Sequence, residues 1–160
     1  MSQILNNELP FNSCAVMWKA ECFEKNRFVE HLMYAEEWEL YSRIISSGAE
    51  GISINKTLFY GRKHDNSNTG EFFKNNPIRR ASQADAVILV LQNLQKKMLL
   101  THTLIQYFIT VSIGFKEYNL FNKIMNILDL SVIKKVGYYF FYNSYFLRLP
   151  VYKMKKRFKQ

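Results

Sequence analysis

Ala35-Glu36-Glu37-Trp38-Glu39-Leu40-Tyr41-Ser42-Arg43-Ile44-Ile45-Ser46-Ser47-Gly48 carries the clearest helical signature in this chain of 160 residues. Acidic residues open it, where the helix dipole favours negative charge, and a glycine stands where a C-terminal stop belongs. Leu40, Ile44 and Ile45 supply an apolar stripe. Glu39 and Arg43 are spaced as an i,i+4 pair, which the pattern reads as a surface pair without chemistry. The spacing predicts a helix over residues 36–47.

Toward the N-terminus, residues 11–18 mix Val16, Cys14, Met17 and Trp18 with small residues and read as a buried strand. Residues 20–25 read as a short helix leading into the 28–34 segment. On the other side, residues 51–54 and 57–60 read as two short strands joined at Asn55-Lys56, and residues 61–70 as a polar loop. That loop begins Gly61-Arg62-Lys63-His64-Asp65-Asn66-Ser67. After Pro77 the pattern turns helical. Ala84, Val87, Ile88, Leu91 and Leu94 share one face, and Lys96-Lys97 mark a solvated side or an end. Helical patterning continues over 122–130, where Ile124, Ile127, Leu128 and then Val132 share a face. There is no internal repeat and no low-complexity segment.

Composition bounds the rest. The length suits one domain with a real core. Residues 1–115 hold 12 Lys+Arg against 11 Asp+Glu, whereas residues 116–160 hold 10 against 2. The basicity is therefore local to the tail, which calls for an anionic partner there. Seven aromatic residues lie between Tyr138 and Phe146, and Lys153, Lys155, Lys156, Arg157 and Lys159 follow. Rings at a membrane–water interface beside Lys and Arg suit an anionic lipid surface. The same content could stack on single-stranded nucleic acid, a weaker option; no nucleic-acid partner is expected. Cys14 and Cys22 are eight apart, which fits two reduced, partly buried thiols better than a metal site or disulfide framework. The N-terminus has no basic-then-apolar leader pattern. Residues 98–115 are free of formal charge, but Thr101, His102, Thr103, Gln106, Thr110 and Ser112 interrupt them. A buried or interfacial helix is expected there, not a span.

The order of parts from Glu36 to Ser67 resembles the acceptor half of a family 2 glycosyltransferase with the A-type fold. The family pattern is acidic-Asp-Trp-acidic-Leu-x-x-Arg, a glycine, two short strands, then an Arg-x-His loop followed by Asn or Ser. The resemblance covers roughly residues 4–70. It implies a helix-dominated α/β fragment: the C-terminal part of that fold, with one or two short strand pairs, followed by a helical tail. The corresponding division is 1–75 for the acceptor side, 76–133 for a helical segment and 134–160 for an aromatic, basic, membrane-proximal tail.

The resemblance also implies transfer of a sugar from a nucleotide-sugar donor to a surface-polysaccharide or lipid-linked saccharide acceptor, with inversion. Glu37 falls at the position of the expected general base, Glu36 and Trp38 at the acceptor side, and Arg62 and Lys63 near the donor diphosphate. His64 falls at the place of a ligand for a divalent cation, Mg2+ or Mn2+. Glu37 departs from the family's Asp. One extra methylene shifts the carboxylate by about 1.5 Å, and misplacement on that scale costs about 100-fold in rate. No Asp-x-Asp and no glycine-rich phosphate loop occurs. The donor-binding half is thus expected to be missing, and the isolated chain to be inactive at the inner, cytoplasmic face of the membrane. The rival reading is a non-catalytic, membrane-peripheral protein in which the acids and His64 are incidental.

Overall fold

The computed structural model describes residues 2–6, 13–57, 59–62, 67–115, 118–144 and 147. Seven α-helices lie among them: α1 (Ser2–Leu5), α2 (Glu36–Ser46), α3 (Asn68–Phe73), α4 (Pro77–Lys96), α5 (His102–Phe115), α6 (Tyr118–Ile127) and α7 (Val132–Asn143). The fold is helix-dominated, with no strand among the described residues. The chain forms two compact units, Met1–Ile105 and Gln106–Gln160, so residues 76–133 contribute helices to both.

The first unit is built around α2, which packs against α4 and α1, while α3 also packs on α4. Leu40, Tyr41, Ile44 and Ile45 form its core, and Ile4, Trp18, Cys22, Phe23 and Ala49 close over them. Each aliphatic side chain buried there contributes roughly 1.5–3 kcal/mol. The Trp18 ring lies 4.9 Å from that of Tyr41 and meets Phe23 edge-on. Gly48 ends α2 at φ 94°, a left-handed conformation that glycine adopts without steric cost. Asn76 starts α4 by accepting from the Ile78 and Arg79 N–H groups, with Pro77 at the first helical position. Ala86, Val87, Val90, Leu91 and Leu94 are its buried apolar positions.

In the second unit Leu120, Phe121, Ile124 and Met125 are buried along α6, and Leu128 just past its end. Phe121 stacks on Tyr142 at 4.4 Å and meets Tyr139 edge-on at 5.1 Å, which joins α6 to α7. The Tyr139 hydroxyl donates to Asn122 at 3.0 Å. Burial pushes the Tyr107 hydroxyl up to about 12.

Several sequence expectations are corrected. Within residues 11–18, Ser13–Ala15 form a single 3-10 turn and Met17 is fully exposed; residues 11 and 12 lie outside the described set. Residues 51–54 and the described part of 57–60 form no ladder; Leu58 lies outside that set. A strand is stabilised by its cross-strand pairs, and the described residues offer this stretch none. The polar loop is shorter than expected, because Ser67 accepts from the Gly70 N–H and starts α3. Val132 does not continue the α6 face; it begins α7 and is exposed. Cys14 is exposed and Cys22 half-buried. As expected for residues 98–115, α5 is no span: its 14 residues reach about 21 Å against a hydrocarbon core of about 30 Å. No helix among the described residues is long and apolar enough to cross a membrane.

Candidate functional site

The first turn of α2 carries Glu36, Glu37 and Glu39, and no side chain caps it. Ala35 occupies the cap position at φ 64°. An L-residue in that region costs roughly 1 kcal/mol. The conformation bends the chain abruptly from Tyr34 into the helix. The carboxylates of the first turn then complement the partial positive charge of its unpaired N–H groups.

The approach to this turn is held from α4. Ser82 Oγ accepts from the Met33 and Tyr34 N–H groups, both at 2.8 Å, and donates to the Tyr34 carbonyl at 2.7 Å. Ser82 is buried, so these bonds fully occupy a hydroxyl that would otherwise be costly to desolvate. The Arg79 guanidinium donates to the Met33 carbonyl and pairs with Glu71 at 3.3 Å. The Tyr34 ring stacks parallel on Phe72 of α3, 4.7 Å away.

Past its first turn α2 is buried nearly all round, from Glu39 to Ser46, with only Arg43 partly exposed. Glu39 is 2% exposed and takes two bonds from Arg43, at 2.6 Å from Nε and 2.9 Å from Nη2. Arg43 Nη2 also donates to the Arg27 carbonyl. The expected surface pair is thus an inward-facing fork. With α4 on one flank and α1 and Trp18 on others, a carboxylate at this position must be paired.

The C-terminal end of α2 is fastened to α4 as well. Lys97 Nζ donates to Ser46 Oγ at 2.9 Å, to Ser47 Oγ at 2.7 Å and to the Arg43 carbonyl at 3.4 Å. Asn93 adds a bond to Ser46 at 2.9 Å. A cation there suits the negative end of the helix dipole. Burial, and then the Arg43 charge, bring the Lys97 ammonium below its ordinary range.

Glu36, Glu37 and Trp38 therefore share one turn of a helix held at both ends. Glu36 and Glu37 are half-buried. Burial raises the Tyr41 hydroxyl above its usual range, and the Glu37 charge one turn away adds to the rise. Trp38 is half-buried, with its Nε1 donating to the Leu5 carbonyl at 3.3 Å. Arg62 is exposed in irregular chain, and Lys63 and His64 lie outside the described residues. Among the described residues no three His, Cys, Asp or Glu side chains gather as metal ligands.

The supporting residues Ser82, Arg79, Asn93 and Lys97 escape a reading of the sequence. Ser82 lies 48 positions from Tyr34 and carries no local signal. Only the Lys96-Lys97 pair marks a helix end in advance. No family model matches this chain, and no curated protein or solved structure matches it either.

Proposed function

We propose that this chain is the acceptor-side part of a family 2, A-type glycosyltransferase that transfers a sugar from a nucleotide-sugar to a saccharide acceptor with inversion. The observation that carries this reading is the Glu36-Glu37 pair on the first turn of a helix fastened at both ends. General-base catalysis needs a carboxylate held within hydrogen-bond reach of the hydroxyl it deprotonates, and a rigid helix start supplies such a mount. In the proposed reaction the acceptor hydroxyl oxygen attacks the anomeric carbon while Glu37 takes its proton. The bond from that carbon to the diphosphate oxygen breaks on the opposite face, and the nucleoside diphosphate leaves with the electron pair. Glu36 and Trp38 orient the acceptor, and Arg62 and Lys63 meet the departing anion.

The donor site would come from polypeptide outside these 160 residues. Support comes from the described residues of 49–62, where Ile52, Ile54 and Tyr60 stand exposed in irregular chain. Exposed β-branched residues two apart favour extended chain, and in this reading a strand of the donor half would cover them. His64 is the residue that the resemblance assigns to the Mg2+ or Mn2+ ion of the complete enzyme.

The test is nucleotide-sugar turnover by the chain joined to a donor-binding half, with the isolated chain as the inactive baseline. Glu37→Gln lowers turnover by about 100-fold or more while donor binding changes little. Glu37→Asp restores the family's residue, and its rate reports whether the site is registered to the longer side chain. Unchanged turnover in Glu37→Gln, or saturable micromolar nucleotide-sugar binding by the isolated chain, overturns the reading. A non-catalytic, membrane-peripheral protein is the second reading, favoured by the outward apolar face of α7.

A further inference from the structure

The helix α7 contains no buried residue. Its most exposed apolar side chains are Val132 at 76%, Ile133 at 85%, Val136 at 61% and Phe140 at 74%, with Phe141 less exposed on another side. At 3.6 residues per turn these four fall within an arc of about 100° and form one continuous stripe. The flank of the helix beside Val132 is spoken for, since Tyr139 and Tyr142 pack on Phe121 of α6. Lys134 lies toward the far side of the helix and is exposed, and Lys135 lies half-buried on the α6 flank. From residue 130 to the end the sequence holds eight Lys+Arg and no Asp or Glu.

We propose that the Val132–Ile133–Val136–Phe140 face of α7 is an in-plane docking surface for an anionic lipid membrane. A lone apolar stripe could meet any apolar partner, and the charge decides among them. Lys134 and Lys135 on the helix, in a sequence that is net positive after the exposed Asp129, complement anionic headgroups and oppose a second copy of the same face through like-charge repulsion. The helix has 12 residues and extends about 18 Å, too short to cross a bilayer, so it lies in the interface. The stripe sinks to the acyl boundary, and the lysine stems lie along apolar surface with their ammonium groups at headgroup level. This surface is independent of the sugar-transfer reading and stands if that reading falls.

The experiment is co-sedimentation of the full chain with phosphatidylcholine vesicles that contain or lack phosphatidylglycerol. Binding is expected only to the anionic vesicles and falls as salt is raised, because exposed charges are screened within about 10 Å at 0.1 M ionic strength. Val136→Asp with Phe140→Asp lowers the bound fraction at least about 10-fold, since two side chains lose their apolar burial. Lys134→Gln with Lys135→Gln lowers it by less, about 10-fold or below, and removes part of the salt dependence. Met17→Asp, at an exposed apolar position in the other unit, leaves binding unchanged. Phe140→Trp gives a second readout: its emission shifts to the blue on anionic vesicles beyond any shift of the parent chain. Equal binding of the double Asp variant overturns the proposal, as does equal binding to neutral vesicles. So does a dimer in solution that the Asp changes dissolve, or tighter binding to single-stranded DNA that the Lys changes abolish.

Discussion

Helices α2 and α7 are of nearly equal length, 11 and 12 residues, yet α2 is enclosed and α7 buries nothing fully. In α2 the polar groups face inward and are satisfied: Glu39 by Arg43, Ser46 by Lys97 and Asn93, and the chain leading into it by Ser82. In α7 the apolar groups face outward. The difference teaches that amphipathic pattern gives a helix two faces without saying which one meets the protein. Only the neighbours decide. For α2 the neighbour is the 20-residue α4, long enough to hold it from Tyr34 to Ser47. For α7 the neighbour is α6, met through Tyr139 and Tyr142 at Phe121 and through Tyr139 at Asn122, and the Val132–Phe140 stripe stays exposed.

The comparison can be broken hardest at Arg43. Arg43→Ala strands the Glu39 carboxylate with its side chain 3% exposed, and removal of one partner from a buried pair costs about 3–5 kcal/mol. Urea denaturation should show the loss as a lower midpoint, while a loss under about 1 kcal/mol would mean that the fork is not buried in solution. Next comes Ser82→Ala. It leaves two N–H groups and one carbonyl of Met33 and Tyr34 without their partner, for about 2 kcal/mol. It should also speed hydrogen exchange at the Met33 and Tyr34 amides, which a simple packing defect elsewhere in α4 would not do. The smallest effect belongs to α7. Val136→Asp with Phe140→Asp should change unfolding stability by no more than about 0.5 kcal/mol, as surface substitutions do. A loss above about 2 kcal/mol would show that this face is covered within the chain, and the contrast with α2 would disappear.

Helix α2 was legible because its signals are local. First-turn acids, an i,i+4 pair and a terminal glycine all lie within one 14-residue window, and α2 does run from Glu36 to Ser46. The apolar positions Val87, Leu91 and Leu94 of α4 were legible for the same reason. The 51–60 region misled, because alternating Ile52 and Ile54 report a preference for extended chain and say nothing about a pairing partner. Glu39 misled in the other direction. Its spacing from Arg43 predicts a pair correctly, but burial depends on α4, α1 and Trp18, which reach it across long stretches of sequence.

By itself the sequence determined where α2 begins and ends, that the positive charge gathers after residue 115, and that Glu36 and Glu37 open a helix. These follow from caps, periodicity and composition, all properties of neighbouring residues. Tertiary structure alone decided that Glu39 and Arg43 turn inward, that Ser82 and Lys97 fasten the two ends of α2, and that the apolar stripe of α7 faces out. Each of those depends on which surfaces meet after the chain has folded back on itself. The bonds from Ser82 to Tyr34 and from Lys97 to Ser47 span 48 and 50 residues, a distance over which no local preference acts.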